Sequence, residues 1–186
     1  MKIKSGILLF VALLSACLVS AQKEVDFQPK ALVKTLEKSG IEELSGIEEL
    51  ALSADYSSSN GKYFLVNKNN DNGYKYVYVG RVHSCRAGGC SGPNDVLAIG
   101  ESEYFDYYML FDAGKNVVEV KVFNYQATHG QEITAKGWLK QFIGYDGKDS
   151  LKVDKDIDSI SGATISVYAI TADVQDKTAL LKKLQL

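Results

Sequence analysis

A chain of 186 residues, 46% hydrophobic and 24% charged, holds enough apolar material for one domain with a buried core. Its formal charge of −2, without basic clusters, leaves no electrostatic footprint for nucleic acid or an anionic membrane surface. Two prolines against sixteen glycines and eleven tyrosines favour ordered strands joined by glycine turns over disorder.

The chain opens Met1-Lys2-Ile3-Lys4 and then runs apolar from Gly6 to Ala21 with few interruptions. Two lysines, an apolar stretch and the small residues Val19-Ser20-Ala21 have the form of a secretory signal over 1–21. The run is shorter than the roughly 20 apolar residues of a membrane span, and Ser15, Cys17 and Ser20 break it. Leu14-Ser15-Ala16-Cys17 also has the form of a lipobox, in which Cys17 would be lipidated. The expectation is an exported protein of the periplasm or cell surface, either soluble or anchored through Cys17.

Residues 22–60 read as an N-terminal helical and linker segment. Pro29 stands where a first helical residue would, and Ala31, Leu32 and Leu36 recur at helical spacing before Ser39-Gly40. A tandem hexad follows, Ser39-Gly40-Ile41-Glu42-Glu43-Leu44 and then Ser45-Gly46-Ile47-Glu48-Glu49-Leu50. Two copies are too few for a solenoid, so the hexads read as an amphipathic linker with short helical turns.

From Lys62 the period changes to two. Tyr63–Val66 and Tyr74–Val79 flank the polar cluster Asn67–Gly73 and read as a hairpin. Tyr104–Phe111 and Val117–Tyr125 form a second pair, with Val118, Val120 and Val122 alternating against Glu119, Lys121 and Phe123. A short helix is expected from Ala135 to Ile143, ending at Gly144. The last segment is helical, since Ala163, Val167, Ile170, Val174, Leu181 and Leu184 keep a period near 3.6. Hairpins flanked by helices make an α+β domain over 61–186: an antiparallel sheet with helices packed on it and a C-terminal helix after the Ser161-Gly162-Ala163-Thr164 loop.

That loop enters the final helix, where unpaired N–H groups and the helix dipole suit a phosphate. Ser161 can cap the helix, Gly162 permits a tight turn, and Thr164 offers a hydroxyl open to esterification. From the residues alone two readings stand, a capped glycine turn or a phosphate site. The segment resembles the flavinylation motif of FMN-binding domains, Asp-x-x-Ser/Thr-Gly-Ala-Thr/Ser followed by a small hydroxyl residue and an apolar helix. Such domains occur in the C subunit of the sodium-translocating quinone reductase, the G subunit of the Rnf complex and many exported flavoproteins. Asp158, Ser161, Gly162, Ala163, Thr164 and Ser166 stand in that pattern. The resemblance implies FMN joined as a phosphoester to Thr164 by a flavin transferase that uses FAD and magnesium.

The family's second signature is a histidine-containing loop, Glu-Thr-Pro-Gly-Leu-Gly, then an aromatic and Gln-Phe-x-Gly. Here Glu132, Gly137, Trp138, Gln141, Phe142 and Gly144 match it, with His129 upstream, while the Pro-Gly-Leu-Gly core is missing. Trp138 and Phe142 stand four apart on one helix face, and either line a flavin ring or pack the helix on the sheet. His129 either tunes the flavin or makes a local hydrogen bond.

His83-Ser84-Cys85 to Cys90 falls outside the family pattern. In an exported protein the pair Cys85 and Cys90 reads first as a disulfide, and second as a redox-active dithiol with Arg86 lowering a thiol pKa. Haem attachment by Cys-x-x-Cys-His is absent, and a zinc site would need more ligands than His83 brings. Two histidines, neither near a serine at a suggestive spacing, give no nucleophile–base pair, so no catalytic residue is assigned. The resulting expectation is an electron carrier serving redox partner proteins or a membrane quinone-linked complex. The alternatives are an exported non-redox binding module with a stapled loop and a small flavin-dependent reductase.

Overall fold

The computed structural model describes residues 24–41, 46–52, 60–86 and 102–184. The export segment with Cys17, and the pairing of Cys85 with Cys90, lie outside the described residues.

Five antiparallel strands form one sheet in chain order: β1 (Ile47–Glu49), β2 (Gly61–Val66), β3 (Tyr76–Arg86), β4 (Ser102–Phe111) and β5 (Val117–Tyr125). Helix α1 (Lys30–Glu37) covers one face, while α2 (Lys136–Leu139) and α3 (Thr164–Lys183) pack on the other. The fold is α+β, with the C-terminal helix on the sheet as the periodicity predicts. The second hexad departs from expectation, because Ile47–Glu49 is extended and pairs with Phe64–Val66 instead of forming a helical turn. Three residues are too short for periodicity to reveal; the open edge of β2 decides their conformation.

β3 and β4 bury apolar side chains in both directions because both sheet faces are covered. Tyr76, Tyr78, Phe105, Tyr107, Met109 and Phe111 meet Val167, Ile170, Val174 and Leu181 of α3. Val77, Val79, Tyr108 and Leu110 meet Leu32 and Leu36 of α1. Burying each such side chain contributes about 1.5–3 kcal/mol, so the α3 interface carries a large share of the stability. The turns are closed by their own side chains. Asn70 Nδ2 donates to Tyr74 O at 2.7 Å, and Asn116 N donates to Asp112 Oδ1 at 2.8 Å.

β5 carries two irregularities. Leu110 faces Glu119 while Phe111 faces Val117, leaving Val118 extra. Asp106 faces Asn124 while Tyr107 faces Val122, leaving Phe123 extra. Val118 therefore joins the α1 side of the sheet, apart from Val120 and Val122 on the α3 side. The simple alternation expected for this strand is corrected by the first bulge. On the α1 side β3 and β4 also bury an ion pair, Arg81 Nε to Asp106 Oδ1 at 2.7 Å, with side chains only 4% and 2% exposed. Asn124 Nδ2 donates to the same carboxylate at 2.7 Å, and the Tyr104 ring lies 3.7 Å from the guanidinium carbon.

Candidate functional site

The loop ahead of α3 turns at Gly162, whose φ of +82° is left-handed and favours glycine. A Cβ there would meet nothing within 4 Å, so conformation and not crowding explains the residue. Ala163 N donates to Ile160 O at 3.0 Å and closes the turn. The helix begins at Thr164, and its N-cap is Ala163 with no side-chain cap hydrogen bond. This corrects the expectation that Ser161 caps the helix: it stands two positions too early and is exposed. Among the described residues no side chain consequently accepts from the first-turn N–H groups of this twenty-residue helix. Thr164 is exposed beside them, while Ala163 and Ser166 are buried at 2% and 3%. Uncapped donors, an open turn and an exposed hydroxyl fit a phosphate ester.

Two further segments are held against this turn. Because Phe123 is extra in β5, Tyr125 reaches the α3 side, where its ring stacks on Phe105 with centroids 5.7 Å apart. Its hydroxyl donates to His129 O and lies 3.0 Å from Ser166 Oγ. Burial raises the Tyr125 hydroxyl pKa, and the Ser166 contact partly offsets that. Gly130, with φ +90°, packs so tightly here that a Cβ would fall 2.6 Å from Ser166 Oγ. Thr128 closes the loop from the other side through the Glu103 carboxylate. The His129 loop and the start of α3 are thus joined through one phenol.

The second segment is α2. Trp138 Nε1 donates to Asp158 O at 2.9 Å, and Asp158 N donates to Gln141 Oε1 at 2.8 Å. Asp158 is thereby fixed through its backbone, with its carboxylate exposed. Phe142 is fully buried and takes the core-packing alternative, since it leaves no surface for a ring. Trp138 meets it edge-on at 5.6 Å and keeps part of its surface. His129, Glu132, Ser161 and Gly162 are exposed or open at the surface. Thus the structure gathers His129, Gly130, Ser166 and the Thr164 turn, and separately ties Trp138 and Gln141 to Asp158. Sequence reading missed Tyr125, whose role depends on a bulge that no periodicity signals.

A cleft between β3 and α3 is lined by Tyr78, Arg81, His83, Asp173 and Lys177 among others. Tyr107 donates its hydroxyl to Asp173 Oδ2 at 2.7 Å, and Lys177 lies 3.6 Å from the other carboxylate oxygen. Burial holds the Asp173 carboxyl above the usual range despite Lys177 and that hydrogen bond. Among the described residues no group of carboxylates, histidines and cysteines could hold a metal ion, and no helix is long and apolar enough to cross a membrane.

Residues 103–178 match the family model for the FMN-binding domain, from the start of β4 through most of α3. None of the curated proteins matches the chain.

Proposed function

We propose, from the FMN-binding domain at residues 103–178, that this is an exported electron-transfer flavoprotein with FMN ester-linked to Thr164. The observation that carries the linkage is the exposed Thr164 at the uncapped start of α3, within the matched segment. When bound, FMN would supply reversible electron transfer between redox partners. The first-turn N–H groups would hold its phosphate, with the helix dipole favouring the negative charge. Gly162 sets the approach of the chain, and Asp158, tied to Trp138 and Gln141, positions the loop. Tyr125 and Ser166 hold the His129 loop beside that turn. A covalent link suits a carrier working outside the cell, where a dissociated cofactor would be lost.

The test is co-expression with a flavin transferase, followed by intact mass and fluorescence of the denatured protein. One FMN adduct is expected in the unaltered chain and none in Thr164→Val. An unaltered chain without an adduct, or an adduct that survives in Thr164→Val, overturns the linkage. Mass of the natively exported form also reads the N-terminus, distinguishing cleavage after Ala21 from a lipid on Cys17.

A further inference from the structure

We propose that the flavin ring tethered at Thr164 lies over the solvent face of α3, stacked on Tyr168 with Ile165 beside it. This inference rests on the attachment proposed above. Among the described residues the exposed large apolar side chains are Ile143, Ile165 and Tyr168, the last two at 45% and 54%. Both follow Thr164 within a little over one helical turn. Neither belongs to the buried stripe of α3, which runs through Ser166, Val167, Ile170, Thr171, Val174, Thr178 and Leu181. Ile165, Tyr168 and Ala172 instead stand at i, i+3 and i+7 on the exposed face, while Ala169 beside them is half-buried against the core. The two alanines add no bulk, so the ridge is low and apolar, as a planar ring requires.

Position selects the occupant. Tyr168 is four residues beyond Thr164 and is its neighbour on the helix surface. Helical side chains lean toward the N-terminus, so the phenol covers the turn that carries Thr164. No described residue hydrogen-bonds the Tyr168 hydroxyl, which leaves its ring unconstrained by the protein. A group tethered at Thr164 meets this face at an effective concentration that no free partner matches. The other aromatic candidates are committed elsewhere: Phe142 is fully buried, and Trp138 packs on it while donating to Asp158 O. Stacking on Tyr168 covers one face of the ring and leaves the other open to a redox partner.

The experiment uses the flavinylated protein and its Tyr168→Leu and Trp138→Phe variants. Intact mass first confirms one FMN on each; an unaltered chain without it refutes the attachment, a failure distinct from that of the stacking. Flavin emission of the folded protein is then read, because a phenol in contact with the ring quenches it. Tyr168→Leu is expected to raise emission about two- to tenfold, the ratio set by losing one aromatic stacking contact. Far-UV circular dichroism unchanged from the parent shows that the fold persists. Unchanged emission in Tyr168→Leu, or a rise in Trp138→Phe alone, overturns the proposal. Emission that depends on protein concentration also overturns it, since a second copy would then cover the ridge.

Discussion

Replacing Gly130 by alanine strikes the junction between the His129 loop and α3, and its cost follows from two separate quantities. The first is backbone: an L residue in the left-handed region costs about 1–2 kcal/mol. Gly162 pays only this, since a Cβ there meets nothing within 4 Å. At Gly130 the new Cβ also falls 2.6 Å from Ser166 Oγ and 2.9 Å from the Tyr125 hydroxyl. Neither atom yields easily, because the Tyr125 ring is stacked on Phe105 and Ser166 is 3% exposed. Overpacking of this kind adds about 1–3 kcal/mol, giving about 2–5 kcal/mol for Gly130→Ala against about 1–2 for Gly162→Ala. For a chain of this size each kilocalorie lowers Tm by about 2–4 °C. Urea denaturation of both variants, of Ser166→Ala and of the Gly130→Ala/Ser166→Ala double variant measures the terms. Removing the Ser166 hydroxyl relieves part of the clash, so the double variant should lose less than the sum, by about 0.5–3 kcal/mol. Equal costs at Gly130 and Gly162, or strict additivity, would refute the reasoning.

Two further expectations concern buried charge. Burial raises the Asp173 carboxyl pKa in the folded state, so its contribution to stability is full below the unfolded value and is lost as pH rises through the folded one. Asparagine does not titrate; Asp173→Asn should therefore gain in Tm relative to the parent as pH rises from about 3 to 7, and a flat difference contradicts this. Arg81→Ala leaves the Asp106 carboxylate buried with Asn124 as its remaining described hydrogen-bond donor, which should cost about 3–5 kcal/mol in urea denaturation. A loss under about 1 kcal/mol would mean that the pair is solvated in solution.

What the sequence revealed follows from the range of the interactions involved. The two hairpins and α3 are visible because their periods of two and 3.6 reflect burial on this sheet. The Thr164 turn is visible because a glycine and hydroxyl residues ahead of an apolar helix are local chemistry. The cap is not legible because the Gly162 turn closes at Ala163, which becomes the N-cap, and the helix starts at Thr164 and not after the nearest capping residue. Ile47–Glu49 takes its strand conformation from β2, so the hexad itself carries no sign of it. Phe142 shows the same limit: four-residue spacing puts it on one face with Trp138 without saying which of the two turns inward.

The extra Phe123 in β5 has a bearing on how this chain can change in length. Deleting that residue would leave Asn124 facing Asp106 and Tyr125 facing Phe105 in plain alternation, so the phenol would keep the α3 side. One residue inserted between Asn124 and Tyr125 would instead turn the phenol to the α1 side and sever His129 from the helix start. Loss of Phe123 should thus be tolerated and a single insertion before Tyr125 purged, whereas the turns at 67–73 and 112–116 can lengthen at little cost. The sheet counts residues in pairs, and at this one point the bulge lets an odd number of steps return to the same face.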